Sequence, residues 1–135
     1  MPYHKRIEEC IARYIANRYA RVVEVGIGRN MDVARRLMEA GVHVRCTDIA
    51  LPEGHSVIEL IEDDIFEPRE EIYRGAELIY AVRPGVELVP PLIAISSLVD
   101  ADLIVYHLGN EIFEDGGTII DCGVTLHLYR SRASS

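Results

Sequence analysis

The alternation of short apolar runs with helical segments constrains this chain more than any other feature. Runs rich in Val, Ile and Leu recur at 21–25, 42–46, 57–61, 77–82 and 102–107. A strand that is followed by a helix and a second strand forms a crossover, and this connection places the two strands parallel in one sheet. The sequence therefore predicts the α/β class, with a mainly parallel sheet and helices on both of its faces.

The remaining segments complete one predicted domain over residues 1–135. Residues 1–20 are predicted to form an amphipathic helix, because apolar side chains such as Ile7, Ile11 and Ile15 recur at helical spacing. Two further strands, 117–121 and 124–129, are predicted to form a hairpin. Residues 130–135 are predicted to be a flexible tail.

The composition argues against several classes of function. There are 22 acidic and 14 basic residues, a net charge of -8, whereas a general nucleic-acid binder needs a surplus of Lys and Arg. The longest uncharged run, 88–99, contains two prolines and is too short to cross a bilayer. The first residues carry no apolar stretch of the signal-peptide type. We therefore expect a cytoplasmic protein that uses neither a membrane nor nucleic acid in general.

Metal and thiol chemistry receive little support from the sequence. Cys10, Cys46 and Cys122 are widely spaced and form no C-x-x-C pair. The acidic stretch 59–71 lacks the Gly turn and ligand spacing of a calcium loop, so it is predicted to be a solvated face. Among the histidines, His107 stands at the end of a predicted strand, but no residue is spaced to pair with it. No metal site is predicted.

The segment VVEVGIG, residues 22–28, lies between a predicted strand and a predicted helix. Gly26 permits a tight turn, and Gly28 lets a ligand approach the backbone without meeting a Cβ. The following helix points its free N–H groups at the same place. Asp48 ends the next strand, where a carboxylate can accept hydrogen bonds from both hydroxyls of a ribose. Together these residues predict a nucleotide site at the carboxyl ends of the strands.

Two positions bear on which nucleotide would bind. Dinucleotide sites require a third glycine where this chain has the bulky Met31, which counts against NAD or FAD. Glu24 is a strand-end carboxylate that can hold an ammonium group. A ligand with a ribose at one end and a cationic amino acid at the other, such as S-adenosylmethionine, would suit Glu24 and Asp48 together. The alternative for Glu24 is an ordinary salt bridge to an Arg.

These motifs resemble the first three motifs of the class I S-adenosylmethionine-dependent methyltransferases. The resemblance implies a three-layer Rossmann-like sandwich in which Glu24 serves the methionine end, Asp48 the ribose, and Asp64 or Asp63 the adenine. The whole chain is also similar to an uncharacterised family of short archaeal Rossmann-like proteins, through the signature 79–84 and the Glu87-Leu88 pair that follows. The residues assigned to the cofactor are Glu24, Gly26, Ile27, Gly28, Asp48, Asp63, Asp64 and Arg83.

The chain also departs from the methyltransferase pattern. Asn30 stands where the loop usually carries a further glycine, which would tighten or close the methionine pocket. Residues 108–117 leave no room for a full helix and a substrate-binding cap, so the sandwich is expected to be shortened at its C-terminal end. The stretch 26–48 also resembles NAD-binding regulatory domains of ion-transport systems, apart from Met31.

Two hypotheses for function therefore stay open. In the first, the protein binds S-adenosylmethionine or a related nucleoside and acts as a methyltransferase. In the second, it is a non-catalytic regulatory or interaction module with NAD or with no ligand.

Arg83 and Glu87 are the candidates for catalysis, because they follow the fourth strand, where methyltransferases place residues facing the transferred methyl group. Arg83 offers a fork for a carboxylate or phosphate, and Glu87 offers an acid–base group. The alternatives are a surface salt bridge for Arg83 and a helix-dipole contact for Glu87. The chain has no Asn-Pro-Pro-Tyr motif, so the sequence does not assign the catalytic residues.

Overall fold

The computed structural model describes residues 3–54 and 57–133. The helices are α1 (Tyr3–Ala16), α2 (Asp32–Glu39), α3 (Glu70–Tyr73) and α4 (Val89–Val99), which follows a 3-10 turn at Val86–Leu88. The strands are β1 (Arg21–Val25), β2 (His43–Asp48), β3 (Glu59–Glu62), β4 (Leu78–Val82), β5 (Asp102–Tyr106), β6 (Thr118–Asp121) and β7 (Thr125–Arg130). Within these ranges, none of the helices has the length and apolar character needed to cross a membrane.

The strands form one sheet in the order β3-β2-β1-β4-β5-β7-β6. β1 to β5 pair in parallel, and β7 is antiparallel to both β5 and β6. The predicted α/β class, the mainly parallel sheet and the closing hairpin are confirmed. The strand order reverses between β1 and β4, which opens a crevice at the carboxyl ends of these strands. The connection 107–117, all of it described, contains no helix, and the sandwich is shortened there as expected.

Helices cover both faces of the sheet because alternate residues of β1 point to opposite sides. Val22 belongs to a core that includes Ile11 and Ile15 of α1 and Leu37 of α2. Val23 and Val25 belong to a second core, which contains Ile72 and Tyr73 of α3 and Leu92 and Ile95 of α4. The predicted three-layer sandwich is therefore confirmed.

Two segments depart most clearly from the sequence-based expectation, while most of the other element ends agree with it within two residues. β3 begins at Glu59 rather than at residue 57, and Val57 is 85% exposed. Arg130 is the last residue of β7, and its guanidinium donates to the carbonyl of Ala101 at 2.9 Å. The backbone N–H of Arg132 donates to Asp102 at 2.6 Å. The segment through residue 133 is thus held by groups at the start of β5 and just before it, which a local pattern does not reveal. Residues 134–135 lie outside the described residues.

The burial of α4 predicts a sharp contrast between two of its leucines. Leu92 is fully buried against the sheet, whereas Leu98 is 64% exposed on the same helix. Leu92→Ala is expected to lower the free energy of unfolding by about 2–5 kcal/mol, because it leaves a cavity in the core. The matched change Leu98→Ala is expected to alter it by less than about 0.5 kcal/mol. Urea denaturation followed by circular dichroism measures both values, and similar losses would contradict this packing of α4.

Candidate functional site

The glycine loop folds onto the end of β2. Gly26 and Gly28 have φ values of 76° and 55°, in the left-handed region that glycine adopts without strain. The N–H groups of Gly26 and Ile27 donate to the carbonyl of Thr47 at 2.8 and 3.2 Å. The N–H of Gly28 donates to Oδ2 of Asp48 at 2.6 Å. The structure therefore brings together the loop and the acid that the sequence predicted to share a site.

Asp48 keeps part of its carboxylate available. Among the described residues, its Oδ1 accepts the N–H of Ala50 at 3.4 Å, which is a long hydrogen bond. The side chain is half-buried, and the next residue, Ile49, is 66% exposed. An exposed apolar side chain beside a strand-end carboxylate offers a flat surface and a charged acceptor to one ligand.

A pocket of about 400 Å³ begins at Ile49 and continues along the segment after β3; this Ile49–Asp64 pocket is lined by Ile49, Glu62, Asp63, Asp64, Glu67 and Arg69. Asp63 is buried and accepts from the hydroxyl of Tyr73 at 2.6 Å and from Nε of Arg69 at 3.3 Å. Asp64 is half-buried, and Oδ1 accepts the N–H of Phe66 at 3.0 Å. Both oxygens of Asp63 are thus used in hydrogen bonds that stabilise its own loop. Asp64 uses Oδ1 in the bond to Phe66, so Oδ2 is the oxygen that it can offer to a ligand.

Glu24 is enclosed inside the protein. It is 2% exposed, and the hydroxyl of Tyr80 on β4 donates to its Oε1 at 2.7 Å. The pKa of Glu24 is raised to about 8. Burial is the largest cause, the hydrogen bond from Tyr80 partly opposes it, and the negative charge of Glu8 adds to the rise. At neutral pH Glu24 is therefore mostly protonated, and its side-chain partner is a tyrosine rather than an arginine.

Glu8 of α1 bridges the crevice between the glycine loop and the end of β4. Its Oε2 accepts from Nδ2 of Asn30 at 2.7 Å and from Nη1 of Arg83 at 2.8 Å. Burial opposes the charged form, but the bonds from Arg83 and Asn30 outweigh it and lower the pKa of Glu8. Its other oxygen, Oε1, is buried and has no hydrogen-bond partner in the part of the chain that the structure describes.

Sequence analysis missed Glu8. The available signal was its place on the apolar face of the first helix, three and seven residues before Ile11 and Ile15. A carboxylate on a face that packs into a core requires a partner. That partner, Arg83, lies 75 residues further along the chain, so no local pattern identifies it.

Arg83 points inward, while Glu87 stays outside. Arg83 has a φ of 56°, an uncommon value for a residue other than glycine, and its guanidinium lies 5.3 Å from the ring centre of Tyr106. Glu87 is exposed in the 3-10 turn, with its carboxylate folded back over Gly85. Of the two predicted catalytic candidates, the structure thus places only Arg83 in the crevice. Among residues 3–54 and 57–133, no group of three or more His, Cys, Asp or Glu side chains could hold a metal ion.

Comparison with known proteins identifies the family. A model described as an uncharacterised protein family, UPF0146, matches residues 7–120. The chain belongs to this family. A relative from Archaeoglobus fulgidus is 39% identical over 105 residues, covering 77% of this chain and 81% of the relative. Another, from Pyrococcus horikoshii, is 33% identical over 122 residues, covering 85% of this chain and 89% of the relative. The predicted similarity to a family of short archaeal proteins is confirmed.

Solved structures with the same fold include methyltransferases. MycE, a methyltransferase from the mycinamycin biosynthetic pathway solved in complex with Mg and SAH, aligns with a TM-score of 0.57 and 12% identity over 98% of this chain and 47% of its own. An S-adenosyl-L-methionine methyl transferase from Silicibacter pomeroyi aligns with a TM-score of 0.53 and 16% identity over 93% of this chain and 91% of its own. At these identities the likeness shows the fold alone, and it confirms the predicted Rossmann-like architecture.

The raised pKa of Glu24 predicts how stability depends on pH. An acid whose pKa is higher in the folded state than in the unfolded state contributes full stability below its unfolded pKa, and that stability is lost as the pH rises through the folded value. The wild-type melting temperature is therefore expected to fall between about pH 5 and pH 8. Glu24→Gln, which imitates the protonated acid, should flatten this fall and be relatively more stable at pH 8. Calorimetric melting at a series of pH values tests this, and parallel curves for the two proteins would contradict it.

Proposed function

We propose that the protein binds S-adenosylmethionine or a closely related adenine nucleoside across the carboxyl ends of β1, β2 and β3, and that it acts as a methyltransferase. One observation carries the proposal. The glycine loop is bonded to Asp48 directly beside the Ile49–Asp64 pocket, so a ribose acceptor and a base-sized pocket lie side by side.

The nucleoside half of such a ligand fits the polar groups that remain free. Oδ1 of Asp48 accepts the ribose hydroxyls, while Oδ2 keeps the glycine loop in place. The adenine ring packs on the exposed side chain of Ile49, and its amino group donates to Asp64.

The charge around the crevice favours a cationic ligand over a dinucleotide. The Ile49–Asp64 pocket contains four acidic residues and one arginine. The first turn of α2 carries the negative charge of Asp32, and the backbone N–H of Asp32 already donates to Oδ1 of Asn30 at 3.0 Å. A pyrophosphate needs free N–H groups and positive charge at this helix start. The sulfonium and ammonium of S-adenosylmethionine instead match an acidic surface.

The methionine end of the ligand fits the pair formed by Glu8 and Arg83. Because Glu24 is mostly protonated, Glu8 is the charged acid at this place. Glu8 is itself only 1% exposed, so side chains at the mouth of the crevice must move before a ligand ammonium group can donate to its unpartnered Oε1. Arg83 can present its remaining N–H groups to the ligand carboxylate. We thus transfer to Glu8 the role that the sequence suggested for Glu24.

When bound, S-adenosylmethionine supplies an electrophilic methyl group. The residues named here would hold the ligand at both ends and fix its orientation, and positioning of this kind is a large part of the rate enhancement of a two-substrate reaction.

A conservative change at Asp48 tests the ribose contact. Asp48→Asn keeps an oxygen that can accept the Gly28 N–H, but it loses the charge that strengthens bonds to ribose hydroxyls. We expect the affinity for S-adenosylmethionine, S-adenosylhomocysteine and adenosine to fall by at least about tenfold, with little change in melting temperature. Asp121→Asn, at the last residue of β6, where the carboxylate accepts the N–H of Gly123 at 3.1 Å, is the matched control. Titration calorimetry gives the affinities. Wild-type protein that binds NAD but none of the three ligands would favour the regulatory-module hypothesis instead.

A pair of neighbouring glutamates tests the methionine end. Glu8→Gln removes the charge that faces the ligand ammonium, so we expect at least about tenfold weaker binding of S-adenosylmethionine and little change for adenosine, which has no amino-acid group. Glu9→Gln, on the exposed side of the same helix, where its carboxylate lies 3.7 Å from the guanidinium of Arg36 and outside the crevice, is the control and should change neither affinity. An equal loss for both ligands would show that Glu8 acts only through the fold.

A further inference from the structure

A second pocket, of about 450 Å³, lies where β5 ends and β7 begins. Ile7, Ile112 and Val124 contribute apolar surface to its wall, and His107 and His127 contribute ring nitrogens. We call it the histidine pocket. It shares no lining residue with the Ile49–Asp64 pocket, so it can be assessed separately from the proposed nucleoside site.

Nδ1 of His107 is a buried ring nitrogen that has no hydrogen-bond partner among the described residues. Its Nε2 lies 2.6 Å from the hydroxyl oxygen of Tyr129, and that oxygen already accepts the N–H of Phe113 at 2.9 Å. We assign the Tyr129 proton to this bond, with Nε2 as the acceptor, and this assignment places the ring proton of neutral His107 on Nδ1. Nδ1 is buried without a partner among the described residues, and the whole residue is only 6% exposed. Burial, together with the neighbouring His127, lowers the pKa of His107, so the ring is neutral at pH 7.

His127 presents the complementary acceptor. Its Nδ1 lies 2.8 Å from the carbonyl oxygen of Gly116, and a carbonyl can only accept, so Nδ1 carries the proton. The neutral ring then carries its lone pair on Nε2, and this atom is the acceptor that the ring offers to the pocket. The ring centres of His107 and His127 are 4.9 Å apart. One donor nitrogen and one acceptor nitrogen therefore belong to adjacent rings of one pocket.

We propose that the histidine pocket binds a neutral phenolic compound, whose hydroxyl oxygen accepts the Nδ1–H of His107 and whose hydroxyl proton is donated to Nε2 of His127. A hydroxyl group is a small group that accepts and donates at a single atom. The apolar wall takes the aromatic ring. Glu111 also lines the pocket, and with the net charge of -8 it opposes anionic ligands. A phenol donates a stronger hydrogen bond to a neutral imidazole than an aliphatic alcohol does, because its proton is more acidic.

Three small probes separate these features of the pocket. Phenol can both accept and donate, its methyl ether anisole can only accept, and benzoate is an anion of similar size. In histidine ring NMR spectra of the full-length protein, phenol should shift the signals of His107 and His127 and leave exposed His43 unchanged. Anisole should bind at least about tenfold more weakly, because the lone pair on His127 stays unpaired. Benzoate should bind more weakly than phenol.

Two substitutions each remove the ring nitrogen that would contact the phenol. Each keeps a group that can replace the other ring nitrogen in its hydrogen bond within the protein. His127→Asn keeps a donor for the Gly116 carbonyl and removes the Nε2 acceptor, and His107→Gln keeps an acceptor for the Tyr129 hydroxyl and removes the Nδ1 donor. Each should lower phenol affinity at least about tenfold. His43→Asn, on the exposed start of β2, is the control and should leave it unchanged.

Several outcomes would overturn the proposal. These are no phenol binding by the wild-type protein, equal affinity for phenol and anisole, tighter binding of benzoate, or folded variants that bind phenol like the wild type. The first three comparisons use the wild-type protein alone, so they remain decisive if a variant does not fold. Because S-adenosylmethionine takes no part in the experiment, its result is independent of the proposed nucleoside site.

Discussion

β1 pairs in parallel with β2 on one side and with β4 on the other, and this pairing determines where every candidate ligand group lies. Pairing with β2 brings Asp48 to the glycine loop. Pairing with β4 brings Tyr80 to Glu24 and places Arg83 opposite the same loop. Because the strand order reverses at β1, the helices leave in opposite directions and a crevice remains at the strand ends.

Two buried carboxylates near this crevice are in different charge states. Glu24 has a tyrosine as its partner and keeps its proton, whereas Glu8 has Arg83 and Asn30 as partners and loses it. Burying a polar cluster of this kind contributes less to stability than an apolar core of the same volume. The unpaired Oε1 of Glu8 adds a further unfavourable contribution. Strongly perturbed pKa values such as that of Glu24 cluster at functional sites.

The short connection between β5 and β6 gives the C-terminal half its distinctive surface. Without a helix after β5, residues 107–117 remain an irregular loop, and the histidine pocket lies between this loop, α1 and the start of β7. The antiparallel turn at 122–124 brings β7 back beside β5, so that His127 and Tyr129 reach His107. The same edge of the sheet therefore carries the Ile49–Asp64 pocket at one side and the histidine pocket at the other.

The sequence by itself determined the α/β class, nearly all element positions, and the meeting of the glycine loop with Asp48. These features follow from local periodicity, from the conformational freedom of Gly26 and Gly28, and from the rule that successive parallel strands end at one edge. Only the tertiary structure decided that Glu24 is enclosed and that Asp63 holds its own loop. It also decided that Oε1 of Glu8 and Nδ1 of His107 are buried without a partner among the described residues. Those properties depend on burial and on partners that are tens of residues away in the sequence, such as Arg83 for Glu8. The packing of α1 and the position of the final hairpin bring these partners together, and local sequence patterns do not determine either.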